Sequence, residues 1–355
     1  MDLESMKQFS SKLLEWYDCN ARILPWRDDP SPYRVWISEI MLQQTRVDTV
    51  KPYFERFMKA VSTIQELADI SEDRLLKLWE GLGYYSRARN LKKAATTIMQ
   101  EFEGQLPADI KSLQSLSGIG PYTSGAIASI AFGVRAPAID GNVLRVIARI
   151  TANKGDITSQ NVKKETEDLV SQMLPVERVG DFNQALMELG AVVCLPNGNP
   201  KCTECPVHSL CEGYHQGIAV ELPVKSKKKD RKIERKTIFI IDYNGKFAIR
   251  QRPEVGLLSS LWEFPNVEGH LTYEECEMKL KEWGITSFEV MPVKTSKHIF
   301  THLEWHMTGY FIHVRSIQEK ARFIWATQEQ IKKQYSIPTA FKEYLRFIGD
   351  KYVQE

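Results

Sequence analysis

Apolar residues recur every three or four positions through most of the first 220 residues. The spacing is seen in Phe9–Leu13–Leu14–Tyr17, in Leu75–Leu76–Trp79 and in Val143–Val146–Ile147–Ile150. This is the periodicity of a helix that buries one face, and the segments between the helices carry Pro and Gly. The pattern predicts an all-α first domain, residues 1–220, built from many short helices.

The pattern changes after Lys236. Residues 237–250 are rich in apolar and β-branched residues on both sides of Asn244-Gly245, a pair that favours the tight turn of a β-hairpin. A helical stretch near Tyr273–Trp283, strands near 297–314 and a final helix near 338–349 follow. These elements predict a small α/β domain over residues 237–355.

A basic stretch separates the two regions. Residues 225–236 hold eight Lys or Arg against two acids, so we interpret 221–236 as a solvated linker, with contact to a DNA backbone as the alternative. The formal net charge is only +2, so affinity for nucleic acid must come from such local patches. No apolar run reaches membrane-spanning length and the N-terminus lacks a signal-peptide pattern, so we expect a cytoplasmic protein without membrane contact.

Four of the six cysteines form the pattern C-x7-C-x2-C-x5-C at Cys194, Cys202, Cys205 and Cys211. Thiolates this close in sequence can meet at one metal centre with little loss of chain entropy. The loop 194–211 is therefore predicted to be a metal-stapled module, for which zinc and an iron–sulfur cluster are both possible occupants. The other two cysteines are interpreted as isolated reduced thiols.

Residues 116–133 form the motif LSGIGPYTSGAIASIAFG. Gly118 and Gly120 permit a tight turn, Pro121 suits the first turn of the next helix, and backbone N–H groups there can hold a phosphate. The pattern predicts a helix-hairpin-helix near 114–133; a turn that only packs two helices is the alternative. Asp140 then precedes an apolar helix, where a helix N-cap is its structural alternative.

Glu39 lies in the middle of the predicted helix Trp36-Ile-Ser-Glu-Ile-Met-Leu-Gln-Gln-Thr-Arg46. A carboxyl group among apolar neighbours should have a raised pKa, which suits a general acid. An exposed Glu on an amphipathic helix is the alternative.

The hairpin, an Asp about twenty residues later and the four cysteines resemble the endonuclease-III-like DNA glycosylases over nearly all of residues 1–220. The resemblance implies a [4Fe–4S] cluster, although seven residues separate the first two cysteines where the family usually has six. Members of that superfamily that also cleave the strand carry a Lys two residues after the second hairpin Gly. This chain has Tyr122 there, which implies a monofunctional glycosylase.

The strings SEIMLQQTRV, Gly81–Leu91 and Asp181–Gly190 resemble the adenine DNA glycosylases of the MutY type. Gly256–Pro265 resembles the Nudix-like domain of that family, without the Arg-Glu-x-x-Glu-Glu set of active Nudix hydrolases. The resemblance implies base excision repair on double-stranded DNA: a monomer flips out adenine mispaired with 8-oxoguanine, or with guanine, and hydrolyses its glycosidic bond.

The resemblance also implies roles for single residues. Glu39 would protonate adenine, Asp140 would stabilise the positively charged sugar, and Tyr122 and Asn142 would position and tune the two carboxyl groups. The adenine pocket would be formed by Arg22, Leu24, Trp26, Arg27 and Gln184. Gln44 and Tyr84 would form the wedge into the duplex, and Gly118 and Gly120 would make the hairpin contacts to the DNA backbone. The loop that reads 8-oxoguanine would consist of Phe300, Thr301 and His302.

Four other functions are weighed against this one. A thymine or uracil mismatch glycosylase shares the hairpin and the cysteines but generally lacks the C-terminal domain. A bifunctional lyase is disfavoured by Tyr122, a catalytically silent DNA-damage binder by the presence of both Glu39 and Asp140, and a nucleotide pyrophosphohydrolase by the missing carboxylates. The pattern does not identify protein partners such as a sliding clamp or a mismatch-repair protein.

Overall fold

The computed structural model describes residues 2–196, 198–226, 230–316 and 323–348. The chain forms two compact units: unit one contains Met1–Ile70 and Arg89–Lys227, and unit two contains Ser71–Ala88 and Lys228–Glu355. This division differs from the domains expected from the sequence in two respects. The two units meet inside the predicted linker 221–236. The segment Ser71–Ala88, expected in the first domain, belongs to the second unit.

The first 220 residues are helical, as predicted. The helices are α1 (Leu3–Asn20), α2 (Pro32–Leu42), α3 (Val47–Ala60), α4 (Ile64–Asp69), α5 (Glu72–Trp79), α6 (Ser86–Glu101), α7 (Ile110–Ser115), α8 (Pro121–Phe132), α9 (Gly141–Ile150), α10 (Gln160–Met173), α11 (Val179–Val192) and α12 (Glu212–His215). Several helices have an N-cap residue whose side chain accepts a hydrogen bond from a backbone N–H group of the first turn. Asp109 does this for α7 and Ser159 for α10. No helix within the described residues is both long enough and apolar enough to span a bilayer.

One apolar core of unit one lies between α1, α9, α10 and α11. The predicted apolar faces of α1 and α9 are buried there, with Phe9, Val143 and Phe182 fully excluded from solvent. Gly190 allows close packing of α11 on α9, because a Cβ atom at this position would lie 2.6 Å from Asn142 Cβ. The core therefore fixes the position of α9 relative to α11, and both helices carry predicted site residues.

Unit two is built on a mixed sheet. Its strands are β1 (Lys232–Tyr243), β2 (Lys246–Gln251), β3 (Trp262–Glu263), β4 (Asn266–Glu268), β5 (Ser287–Ile299), β6 (Leu303–Ser316) and β7 (Ile324–Thr327). The order is β3-β2-β1-β6-β5, with β4 paired to β1 and β7 paired to β2. Among the strands that the structure describes, β1 and β6 are parallel and the other pairs are antiparallel. The predicted turn at Asn244-Gly245 is confirmed, since both residues have positive φ angles of 52° and 75°.

Alternate residues of β1 enter two apolar clusters, as expected for a sheet covered on both faces. Ile238 and Ile240 pack with the C-terminal turns that contain Phe341. Phe239 and Ile241 pack with α13 (Tyr273–Glu282), the helix predicted near Tyr273–Trp283. The small α/β domain is therefore confirmed.

Three details of the predicted second domain are wrong. The basic stretch is not all linker, because β1 begins at Lys232 and pairs with β6; the Lys236 ammonium lies over the Trp305 ring at 4.8 Å from its centre. Strand β5 begins ten residues before the predicted position of 297, at Ser287. The final helix is short, with α15 (Lys342–Leu345) between two 3₁₀ turns; α14 (Gln328–Gln334) precedes it, and residue 349 lies outside the described residues.

Candidate active site

The helix-hairpin-helix is formed by α7, the turn 116–120 and α8. Gly118 has a φ angle of +82°, and a Cβ atom there would lie 2.8 Å from Asn90 Cβ, so this position requires glycine. Gly120 differs from the prediction: it is the N-cap of α8 with a φ angle of −94°, and a Cβ atom there would meet open space. The turn itself therefore depends on Gly118 alone.

Glu39 is buried in the middle of α2, with only 6% of its surface exposed. The neighbours Trp36, Ile37, Ile40 and Met41 are buried as well, so the predicted apolar setting is confirmed and the exposed alternative is wrong. Burial raises the pKa of Glu39 to about 7, although a hydrogen bond from Tyr122 acts in the opposite direction and lowers it. At neutral pH, Glu39 is therefore protonated in a large fraction of the molecules.

Tyr122 and Glu39 form a direct pair. The Tyr122 hydroxyl donates to Glu39 Oε2 at 2.5 Å and also lies 3.3 Å from Met187 Sδ. Burial and the adjacent carboxyl group raise the pKa of Tyr122 well above its usual value, so the phenol stays protonated and acts as the donor. The pair joins α2 to the first turn of α8.

Asp140 is the N-cap of α9. Its Oδ1 accepts from the backbone N–H groups of Asn142 and Val143 at 2.8 and 2.7 Å, and its Oδ2 accepts from Asn142 Nδ2 at 2.7 Å. Arg145 Nη2 donates to Asn142 Oδ1 at 2.8 Å and so fixes that amide. Burial raises the pKa of Asp140, while these hydrogen bonds and the N-terminus of α9 favour its charged form. Asp140 is therefore both a structural cap and an oriented carboxylate.

These side chains line one cavity of about 580 Å³, a size suited to a small organic ligand. The predicted residues that surround it are Arg22, Leu24, Trp26, Arg27, Glu39, Gln44, Gly120, Tyr122, Asp140, Asn142 and Gln184. The structure thus gathers all the predicted catalytic and adenine-pocket residues in unit one. Gly118 does not line it, and Tyr84 and the loop 300–302 belong to unit two.

Glu188 is a cavity residue that the sequence analysis missed. Arg22 binds it with two hydrogen bonds of 2.5 and 3.0 Å, and Arg27 Nη2 donates to it at 2.9 Å. Although burial alone would raise the pKa of Glu188, its hydrogen bonds and charge contacts with both guanidinium groups hold that pKa below its usual value. Arg27 Nε also donates to Gln184 Oε1 at 3.1 Å. One signal was available, since Glu188 lies one helical turn after Gln184 on α11.

The four clustered cysteines line a second, small cavity in unit one, together with apolar side chains and Arg149. Arg149 Nη1 donates to Cys194 Sγ at 3.2 Å, and burial raises the pKa of the Cys205 thiol to about 12. The loop between the first two cysteines closes through the Lys201 N–H, which donates to Val193 O at 3.0 Å; Asn197 lies outside the described residues. Among the described residues, no three His, Cys, Asp or Glu side chains are close enough to hold a single metal ion.

In unit two, Phe300, Thr301 and His302 form the tight turn between β5 and β6. The Phe300 N–H donates to Leu303 O at 2.8 Å, and the Phe300 ring packs on Trp305 at 4.9 Å between centres. Thr301 and His302 are both exposed to solvent. Thr301 Oγ1 lies 3.3 Å from the Tyr84 hydroxyl.

Comparisons with known proteins agree with this architecture. Residues 37–172 match the model of the HhH-GPD superfamily of base excision DNA repair proteins, and residues 237–347 match a NUDIX domain. A solved thermostable thymine-DNA glycosylase is 30% identical with a TM-score of 0.55, covering 60% of this chain and 98% of its own. An endonuclease III–DNA complex, 22% identical with a TM-score of 0.53, covers 61% of this chain and 99% of its own and shares the fold. The fold and cavity therefore define a helix-hairpin-helix DNA glycosylase with an added Nudix-like domain.

Relatives that cover both domains define the family. The adenine DNA glycosylase of Rattus norvegicus is 33% identical over 97% of this chain and 78% of its own length. The Homo sapiens protein of the same name is 34% identical over 97% of this chain and 74% of its own, and that of Buchnera aphidicola from Schizaphis graminum is 36% identical over 86% and 88%. The chain belongs to the adenine DNA glycosylase family.

Proposed function

We propose that this protein is a monofunctional glycosylase that removes adenine mispaired with 8-oxoguanine, and also adenine opposite guanine, from double-stranded DNA. The observation that carries the proposal is the buried Glu39–Tyr122 pair, which lines the same cavity as the oriented carboxylate Asp140. Two carboxyl groups in different environments are what cleavage of a glycosidic bond requires.

Glu39 would supply the proton. Adenine is a poor leaving group as an anion, so its departure needs protonation, and a general acid works best with a pKa near the working pH. The raised pKa of Glu39, about 7, meets this condition. After the base leaves, the ionised Glu39 would activate the attacking water.

Asp140 would stabilise the sugar as positive charge develops on it. Three hydrogen bonds to its two oxygens hold the carboxylate in one orientation. A fixed negative charge costs no reorganisation at the moment of reaction, so it favours the transition state over the neutral substrate. Asn142, held by Arg145, would keep that carboxylate in place.

The strand would remain intact. Strand cleavage by a glycosylase needs an amine that forms a Schiff base with the sugar, and Tyr122 occupies the position where lyases of this superfamily carry Lys. The protonated phenol of Tyr122 would instead position Glu39 through its hydrogen bond. These features support a single reaction, release of the base.

The adenine would enter the cavity after leaving the stack, because its glycosidic bond is shielded in the duplex. Leu24 and Trp26 provide apolar walls, and Arg27 with Gln184 provides polar groups tied to Glu188. Gln44 is exposed and has a φ angle of +57°, which suits a side chain that projects into DNA at the cavity mouth.

The exposed turn Phe300–His302 would read the 8-oxoguanine, with Tyr84 as a wedge in the opened stack. The family loop is Phe-Ser-His, and Thr301 keeps the hydroxyl of that serine. Its distance of 3.3 Å from the Tyr84 hydroxyl supports a shared role on one base. Since the proposed substrate is chromosomal DNA, the protein would act where that DNA lies, in the cytoplasm or on the nucleoid of a bacterium.

We further propose that Cys194, Cys202, Cys205 and Cys211 hold a [4Fe–4S] cluster. The four thiols line one cavity, and four cysteine thiolates are the ligand set of a [4Fe–4S] cluster. The Arg149 guanidinium beside Cys194 Sγ would balance the negative charge of a thiolate-bound cluster. The cluster would staple the loop 194–211 onto α9 and α11.

A single-turnover assay tests the proposed reaction. Duplexes with adenine opposite 8-oxoguanine, guanine or thymine are incubated with the protein, and half of each sample is then treated with alkali. Cleavage only after alkali, fastest opposite 8-oxoguanine and absent opposite thymine, is the expected result. Tight binding with no base release would instead identify a lesion binder.

A further inference from the structure

Helix α5 is attached to the Nudix-like domain by a pair of opposite charges. Lys77 Nζ donates to the backbone carbonyls of Ile331 and Tyr335 at 3.2 and 3.0 Å, and it contacts Glu80 Oε2 at 2.6 Å. Glu80 Oε1 accepts from the Ile337 N–H at 2.9 Å. The two side chains therefore clamp the chain segment 331–337.

The clamp satisfies backbone groups that would otherwise lack partners. Ile331 lies in the last turn of α14 and Tyr335 is its C-cap residue, so their carbonyls have no partner inside the helix. A cation at this end also complements the helix dipole. The Lys77 and Glu80 side chains are only 18% and 30% exposed, so solvent weakens the pair less than it would a surface ion pair.

The loop that follows α5 is held in one shape by a second side chain. Arg87, which is buried, donates to the carbonyls of Leu82 and Gly83 at 3.2 and 3.0 Å, and its guanidinium lies over the Trp79 ring. The Trp79 indole N–H also donates to Gly83 O at 3.2 Å. Tyr84 has a φ angle of +48°, an unusual conformation for a residue with a side chain.

Tyr84 ends this loop beside the turn proposed to read 8-oxoguanine. It remains 46% exposed while its hydroxyl lies 3.3 Å from Thr301 Oγ1. Tyr84 and Thr301 are 217 positions apart in the chain, so the distance between their hydroxyl groups depends on how α5 is attached to the Nudix-like domain. Lys77 and Glu80 are polar side chains that contribute to this attachment.

We propose that Lys77 and Glu80 are positioning residues for recognition of the base opposite the adenine. By locking α5 onto segment 331–337, they hold Tyr84 beside Thr301, and the two hydroxyl-bearing residues act as a single recognition element. Neither Lys77 nor Glu80 contacts DNA in this account. The inference rests on the proposed function, because it concerns the selectivity of that reaction.

The test is the ratio of single-turnover rates on duplexes with adenine opposite 8-oxoguanine and opposite guanine. Lys77→Met is expected to lower this ratio about fivefold through the 8-oxoguanine rate, as coupling between neighbouring groups predicts. Lys77→Arg keeps the charge and should restore most of the ratio. Lys332→Met removes an exposed Lys of α14 and serves as the matched control, with an unchanged ratio.

A double-mutant cycle separates positioning from a general loss of structure. If Lys77 acts through Thr301, Lys77→Met should have little further effect on the ratio in a Thr301→Ala background. The same preference is measured as binding of the two duplexes in a Glu39→Gln background, which needs no catalysis. Glu80→Gln, which keeps the size of the side chain, provides a second variant if Lys77→Met does not fold.

The outcomes distinguish the two levels of the proposal. A wild-type protein that releases no adenine would remove the proposed function itself. An active wild type whose ratio is unchanged by Lys77→Met and Glu80→Gln would overturn the positioning role alone. Equal loss of both rates, with a lowered melting temperature, would also overturn it, since that is the signature of a stabilising contact.

Discussion

Replacement of Glu39 by Gln should abolish excision and yet stabilise the protein. The substitution keeps the shape of the side chain and an oxygen that can accept from Tyr122, and it removes the transferable proton. Loss of a general acid lowers rates by roughly 10²–10⁴-fold. Because the same residue would later handle the attacking water, we expect the single-turnover rate to fall by about 10⁴-fold or more.

The stability effect follows from the pKa of Glu39. Its ordinary value is 4.5 and its value in the folded protein is about 7. Below pH 4.5 both states are protonated and burial of the carboxyl group carries no charge penalty. As the pH rises from 4.5 to 7, the unfolded chain releases this proton while the folded protein retains it. Above pH 7 the wild type is therefore destabilised by about 3 kcal/mol.

Glu39→Gln removes this penalty, since an amide does not ionise. Thermal unfolding should show a variant more stable than the wild type at pH 8, by up to about 3 kcal/mol, with the difference shrinking toward pH 4.5. Binding to a duplex with adenine opposite 8-oxoguanine should be retained. A variant that loses both binding and stability at pH 8 would show that Glu39 is a structural residue and would contradict the prediction.

Three further predictions concern other parts of the protein. Tyr122→Phe removes the hydrogen bond that lowers the pKa of Glu39, so the fall in excision rate on the alkaline side of the pH profile should move to higher pH; an unmoved profile would separate Tyr122 from the acid. Thr301→Ala should reduce the preference for 8-oxoguanine over guanine opposite adenine by about tenfold, which is the cost of one unsatisfied hydrogen bond. The preference is measured as the ratio of single-turnover rates on the two duplexes. A ratio unchanged from the wild type would assign recognition to other residues of the loop. The purified protein should be brown with broad visible absorbance, and Cys205→Ser should lower its iron content and its melting temperature; a colourless wild type with stoichiometric zinc would contradict the cluster.

Features that have a local cause can be predicted from the amino-acid sequence alone. Glu39 is buried because the residues around it on α2 are apolar, and this is visible in the run Trp36–Met41. Asp140 is an N-cap because an apolar helix starts at the next residue. The positive φ angle of Gly118 likewise comes from a short turn, and the Asn244-Gly245 hairpin follows from the φ preferences of that pair.

Contacts between residues that lie far apart in the chain depend on the folded structure. Glu188 binds Arg22 across 166 positions, and its place one helical turn after Gln184 does not reveal that partner. The segment Ser71–Ala88 joins the second unit because Lys77 and Glu80 bind backbone groups more than 250 residues away. Strand β5 starts at Ser287 because β6 offers it a partner along its length, although residues 287–296 lack a marked apolar alternation. Periodicity reports which face of an element is buried, whereas ion pairs and strand partners depend on contacts that form only when the chain has folded.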